Sequence, residues 1–336
     1  MIDKRIPHTD LDRLLDRLGK RGAVYAPAKD EAGEAVLAAW PQSGPAVLEY
    51  RNFRLSPKAL VLPQNQTLMC FKNGDVAEPA LSDRETFLFG VRPCDARAML
   101  ALDKVFLGGD QHDPYYARRR AKMAVIALAC ARPTSSCFCT SVGGGPGDAA
   151  GADVLALTLD ADLLLGAATA KGRELLASVA DLLTDAPPAA VKEAEEQIQA
   201  AENQMAPVNV DNIALRLRDA YDSPYWETAS QKCLGCGTCS YLCPTCHCFD
   251  ITDDVRGGTV RRVRTWDCCA YPLFTLHASG HNPRPTAKER WRQRMMHKFR
   301  YAAENFDQLF CVGCGRCIRN CPVSMDLRTV LKEVGA

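Results

Sequence analysis

The chain has 336 residues, 47% of them hydrophobic and 24% charged, with a net charge of +1. This is an ordinary globular profile with no overall pull toward nucleic acid or an anionic membrane. No apolar run reaches the roughly 18 residues of a membrane span. The start MIDKRIPHTD lacks an apolar signal core, so the 17 cysteines are expected as reduced thiols in the cytoplasm.

Thr9 to Gly22 reads as a short helix, with Thr9 as N-cap and Leu11, Leu14, Leu15 and Leu18 as its buried stripe. Strands are expected at Ala23 to Ala26, Val47 to Tyr50 and Leu60 to Leu62. Thr86 to Val91 is a buried strand running into Arg92-Pro93-Cys94-Asp95, with a helix from Asp95 onward. Met123 to Ala129 and Asp153 to Leu159 are further strands, separated by Cys130, Cys137-Phe138-Cys139 and the glycine-rich loop 143–147. That loop lacks the Lys-Ser/Thr of a P-loop and the GxGxxG spacing, so it is expected as a close-packed turn. Strands alternating with helices predict an α/β domain over 1–185. Helices follow at Lys171 to Leu183 and Ala189 to Met205, with 186–208 as connector. Over 209–336, helices lead to a first cysteine loop, a hairpin turning at Gly257-Gly258 and a basic helix from Pro285 to Tyr301.

The informative residues lie in that last third. Cys233, Cys236, Cys239 and Cys243-Pro244 are echoed by Cys311, Cys314, Cys317 and Cys321-Pro322. Each copy reads C-x2-C-x2-C-x3-C-P, the run that holds a cubane, with its fourth cysteine crossing to the other cluster. Cluster I is therefore expected on Cys233, Cys236, Cys239 and Cys321, and cluster II on Cys311, Cys314, Cys317 and Cys243. Gly235, Gly237, Gly313 and Gly315 supply the bends. A zinc ribbon also uses C-x2-C pairs, but two complete four-cysteine runs favour two [4Fe–4S] clusters. Helices around widely separated loops predict an α-helical ferredoxin-like domain.

Nine cysteines remain. Cys94, Cys130, Cys137 and Cys139 fall at strand ends or just beyond, where open α/β sheets gather ligands. They suit a third iron–sulfur cluster, a zinc ion or plain burial. Cys246, Cys248, Cys268 and Cys269 follow the first loop and serve either as ligands or as packing around cluster I. Cys70 reads as a lone buried thiol. Arg284, Lys288, Arg290, Arg292, Arg294, Lys298 and Arg300 form a basic run, read as potential tuning and partner docking.

The run CLGCGTCSYLCPTCHCFD, Trp266-Asp-Cys-Cys269, His281-Asn-Pro-Arg284, Met296-His-Lys-Phe-Arg-Tyr301 and CVGCGRCIRNCP occur in order. Upstream stand Gly90-Val-Arg-Pro-Cys-Asp95, Asp113-Pro-Tyr-Tyr116 and Cys137-Phe-Cys139. From about Phe87 onward the chain resembles the iron–sulfur β subunit of cytoplasmic nickel–iron hydrogenase/sulfhydrogenases and the A subunit of anaerobic sulfite reductases. The resemblance favours Cys269 over Cys268. It implies an electron-relay subunit between a flavin- and NAD(P)-binding partner and a catalytic metal subunit. A self-contained enzyme with a flavin or dithiol site in the N-terminal domain is the alternative.

Overall fold

The computed structural model describes residues 2–335. The chain divides into two compact units, and neither is continuous in sequence. Residues 1–57, 83–207 and 312–315 form the first, and residues 58–82, 208–311 and 316–336 the second.

The first unit is built on an eight-stranded sheet. Its spatial order is Thr184–Asp185, Lys4–Pro7, Asp162–Ala167, Val154–Leu159, Met123–Leu128, Glu85–Val91, Gly22–Lys29 and Ala35–Ala39. The four middle strands from Val154–Leu159 to Gly22–Lys29 run parallel, and the flanking pairs are antiparallel. Met123–Leu128 is buried along its whole length, as a strand covered on both faces must be. Leu11, Leu14, Leu15 and Leu18 of helix Leu11–Gly19 join Phe87, Phe89, Ile126 and Val154 in one apolar core.

Several expectations shift. Thr9 lies in a 3-10 turn, and the helix N-cap is Asp10, whose side chain makes no capping bond. Val47 to Tyr50 is not a strand: Val47 donates to Pro27 O, but Ala35–Ala39 already pairs with that strand. Around Leu60 to Leu62 the chain forms a 3-10 turn, because Val61 and Leu62 both donate to Lys58 O. The helix expected from Asp95 starts two residues earlier, with Pro93 at its first turn, where a missing N–H costs nothing. Helix Pro188–Asn203 is not a connector but part of the first unit, its Ile198 packed on Gly147.

The second unit contains helices Ile213–Asp219, Tyr225–Ser230, Ala287–Met296 and Leu327–Glu333. It is not purely helical. The hairpin Phe249–Arg256 and Thr259–Trp266 turns at Gly257-Gly258, both left-handed as a two-residue hairpin turn requires. It does not stand alone, because Asn65–Lys72 and Asp75–Ala77 extend it into a four-stranded antiparallel sheet. Arg264 is buried in that sheet and donates to Gln66 Oε1 at 2.8 Å.

Candidate iron–sulfur sites

In the first cysteine run, Gly235 and Gly237 take φ values of +67° and +77°. A Cβ on Gly237 would also strike the Tyr271 hydroxyl at 2.7 Å, so this bend favours glycine. Helix Thr238–Tyr241 then carries Cys239, and it packs against helix Arg316–Arg319, which carries Cys317. The contact brings the end of the second run to the first. Cys233, Cys236, Cys239, Cys317 and Cys321 line one cavity of about 480 Å³. Trp291 forms part of the wall, and its Nε1 is buried without a hydrogen-bond partner. A buried donor left bare is costly, and sulfur in the cavity would accept its proton. The donor set and this orphan N–H both fit a thiolate-held cube.

Buried cations reinforce the fit. Arg294 donates to Ser240 Oγ at 3.2 Å, Cys239 O at 2.9 Å and Cys246 Sγ at 3.5 Å. Lys298 Nζ lies 3.1 Å from Cys243 Sγ, 3.0 Å from Thr245 Oγ1 and 3.1 Å from Phe310 O. Lys58 Nζ reaches Cys246 O at 2.9 Å and sits 4.1 Å from the Trp266 ring centre. All three side chains are buried, and these contacts contain no carboxylate. A buried cation is tolerated only when compensated; sulfur does it for Arg294 and Lys298, whereas Lys58 meets carbonyls and a ring, and burial lowers its pKa. The Cys246 contact and then the Lys298 and Arg294 charges, working against burial, hold the Cys243 thiol well below its ordinary range. Burial opposes the Lys298 charge, yet the Cys243 and Cys246 charges hold its pKa above the ordinary lysine value.

The basic run therefore divides. Arg294 and Lys298 turn inward, whereas Lys288 pairs with Glu227, Arg300 with Glu304, and Arg292 stacks on Tyr221.

In the first unit, Cys94, Cys130, Cys137 and Cys139 line a single cavity of about 440 Å³ with Arg51, Arg132 and Cys314. Cys94 follows strand Glu85–Val91, and Cys130 follows Met123–Leu128, at the carboxyl ends of neighbouring parallel strands. Arg92 braces this edge by donating to the carbonyls of Tyr50, Arg51, Leu128 and Ala129. Burial, then the charges of Cys137 and Cys130, push the Cys139 thiol up to about 12. The Tyr50 hydroxyl is buried without a partner, and burial above all, ahead of the charges of Arg92, Asp95, Cys130 and Cys94, raises its pKa. Gly313, at φ +62°, lies so close that an added Cβ would sit 2.4 Å from Cys139 N. The glycine loop 143–147 is a packed turn: Gly147 abuts Ile198, and Arg97 pairs with Asp148 at 3.1 Å.

The second run is divided, since Val312–Gly315 belongs with the first unit and Cys311, Cys317, Cys321 and Cys243 with the second. Among these, Cys243 and Cys311 both act on Lys298. Cys246, Cys248 and Cys269 line a separate cavity of the second unit. Cys268 does not line that cavity, but its sulfur accepts from Ala270 N at 3.3 Å and contacts Cys269. Cys70 is half-buried on strand Asn65–Lys72 rather than enclosed. Among the described residues, no three Cys, His, Asp or Glu side chains converge on a site for a single metal ion. Sequence reasoning missed Lys58 and Trp291. The signal for Trp291 was present: Trp291, Arg294, Met295 and Lys298 follow i, i+3, i+4, i+7 spacing and are all buried.

No helix among the described residues is long and apolar enough to cross a membrane. Residues 232–325 match the model of a 4Fe-4S dicluster domain. Over 329 residues the chain is 33% identical to sulfhydrogenase 2 subunit beta of Pyrococcus furiosus, covering 95% of this chain and 94% of that protein. With a dicluster domain across its cysteine loops and likeness along nearly its whole length, the chain belongs to the family of iron–sulfur β subunits of sulfhydrogenases.

Proposed function

We propose that this chain is the electron-relay subunit of a multi-subunit cytoplasmic oxidoreductase. Cluster I would rest on Cys233, Cys236, Cys239 and Cys321, and cluster II on Cys311, Cys314, Cys317 and Cys243. The observation that carries the reading is the cavity where Cys321 and Cys317 join the three cysteines of the other run, beside the unpaired Trp291 indole; Cys321 rather than Cys317 is taken from the repeated spacing. The cluster II set rests on the repeated spacing. Cys94, Cys130, Cys137 and Cys139 would hold a third cluster, their shared cavity being the support.

Bound there, the cubes supply one-electron carriage at potentials set by burial, charge and hydrogen bonds to sulfur. The chain's own residues do the setting. Arg294 and Lys298 place positive charge against thiolate, which favours the reduced state, and Trp291 offers a donor to sulfur. The donor side would be a flavin- and NAD(P)-binding partner, and the far side a catalytic metal subunit of the nickel–iron hydrogenase kind.

Iron, zinc and acid-labile sulfide should be measured on the anaerobically purified complex. The two runs account for about eight irons per chain, and each further cube adds about four. Zinc without sulfide overturns the reading. The chain purified alone should reduce no acceptor from NAD(P)H, and turnover without partners would instead support a self-contained enzyme.

A further inference from the structure

Four thiols follow the first cysteine run, and the hairpin sorts them. Cys246 turns back to Cys243 and is in hydrogen-bond contact with it. The other three form a group of their own. Phe249 pairs with Trp266, and Asp267 N donates to Cys248 O at 3.0 Å. This register sets Cys248, just before one strand, against Cys268 and Cys269, just after the other. The Cys269 sulfur is in hydrogen-bond contact with both Cys248 and Cys268, and Ser240 Oγ lies 3.9 Å from it. Donors gathered around one sulfur favour its thiolate.

Of these neighbours only Cys248 can join Cys269 in an ordinary disulfide. Cys268 is adjacent in sequence, and Cα atoms about 3.8 Å apart across a trans peptide fall short of the roughly 4.4–6.8 Å that such a bond spans. Cys268 is also fully buried, its sulfur accepting from Ala270 N at 3.3 Å, whereas Cys248 and Cys269 line a cavity of about 850 Å³. That volume suits a small molecule. His247, Arg284, Gln293 and His297 share the wall, the two imidazole rings lie 5.2 Å apart, and no carboxylate among the described residues lines it. The cavity therefore favours a ligand that carries negative charge. The thiol pair also stands beside the cluster cysteines. Ser240, whose hydroxyl reaches Cys269, follows Cys239 on helix Thr238–Tyr241, and Arg294 donates to Ser240 Oγ, Cys239 O and Cys246 Sγ.

We propose that Cys248 and Cys269 are a redox-active dithiol that reduces an anionic organic disulfide of low molecular weight bound in this cavity. The Cys269 thiolate attacks one sulfur of the substrate; a Cys269–substrate bond forms, the substrate S–S bond breaks and the first thiolate leaves. Cys248 passes its proton to that thiolate and attacks the Cys269 sulfur. The Cys248–Cys269 bond forms, and the second thiolate leaves and takes a proton from water. Two electrons, delivered one at a time by the iron–sulfur clusters, and one proton then restore Cys248 as thiol and Cys269 as thiolate. Turnover rests on the electron-relay reading above, whereas the thiol exchange itself needs no cluster. Arg284 and the imidazoles hold the substrate's charge.

The first measurement is stoichiometric and uses the wild-type complex, purified anaerobically. Dithiodipropionate, a small dianionic disulfide, is added without an electron donor, and the protein is acid-quenched, alkylated and peptide-mapped. A Cys248–Cys269 cross-link is expected, and its absence overturns the proposal with no variant needing to fold. With reduced methyl viologen as donor, the complex should oxidise the dye when dithiodipropionate is present. Cys248→Ser and Cys269→Ser should each bring that rate down to the rate without protein, while Cys70→Ser keeps it. Arg284→Ala should raise KM for dithiodipropionate about tenfold, the worth of one charge-assisted contact, and leave KM for neutral hydroxyethyl disulfide unmoved. Equal shifts for both substrates overturn the anion assignment, and full turnover in the Cys269→Ser variant overturns the dithiol. A complex without iron would defeat the relay reading alone, because the cross-link still decides the dithiol.

Discussion

In the second unit the cations come to the sulfur. Lys298 lies 3.1 Å from Cys243 and Arg294 3.5 Å from Cys246, and the Cys243 thiol is held low. In the first unit the guanidinium of Arg92 is given over to main-chain carbonyls, and burial with neighbouring thiol charge pushes Cys139 up to about 12. Cys243 is therefore held toward thiolate before any metal arrives, whereas Cys139 gives up its proton only to the metal. The same ligand atom is prepared in opposite ways, and the difference lies in where the nearest cation is spent.

The severest way to break this contrast is Cys321→Ala. It should remove about four irons and leave the Cys311 loop loaded, as read by metal analysis with resonance spectra. If the loss maps to Cys311, Cys314 and Cys317, the crossed ligand set is wrong.

Lys298→Met comes next. A charge about 6 Å away at an effective dielectric near 20 is worth roughly 3 kcal/mol, so a cluster potential in the second unit should drop by on the order of 100 mV. Redox titration should find any cluster of the first unit unmoved. An unchanged second-unit potential would remove the basis of the comparison.

Proton release gives a third test. A thiol with raised pKa stays protonated through neutral pH, so metal must displace its proton and loading improves as pH rises. Reconstitution at the site that contains Cys139 should strengthen between pH 7 and 9 by about tenfold per unit for the Cys139 proton. Reconstitution around Cys243 should have a shallower slope, its thiol being already held low.

Gly313→Ala should destabilise by about 1–3 kcal/mol in chemical denaturation, through left-handed backbone and the clash at Cys139 N. The smallest effect is Trp291→Phe. It keeps the fold, removes the unpaired indole N–H, and should lower the nearby potential by only tens of mV, since a neutral donor is worth about 1 kcal/mol.

Much of the site was readable from the chain because its determinants are local. Three cysteines and two glycines within seven residues dictate a loop, and the repeated run supplies Cys317 and Cys321, which line the same cavity. The buried strands Glu85–Val91 and Met123–Leu128 announced themselves by unbroken hydrophobicity, and the cysteines after them by position. What escaped depends on distant pairing. Asn65–Lys72 carries only Leu68, Met69 and Phe71 as large apolar residues, and its partner lies far downstream. Lys58 looks like a surface lysine until Cys246 O and the Trp266 ring are placed around it. Arg294 and Lys298 sat within a basic run, and only their spacing with Trp291 and Met295 separates them from the outward-facing charges.

The interleaving of the two units has a consequence for biogenesis. Strand Asn65–Lys72 leaves the ribosome long before Thr259–Trp266, and the bond joining Gln66 to Arg264 spans 198 residues. Until the later strand is made, the earlier one has an open edge and no sheet to enter, a state that invites chaperone holding or misassociation. On the crossed ligand set proposed above, metallation would wait as well, because Cys321 is translated well after Cys239. A fragment beginning at residue 209 would carry every cysteine of both repeated runs yet lack the strand that covers Arg264. Expressed alone, it should accumulate poorly, and co-expression of a peptide spanning 58–82 should rescue its yield.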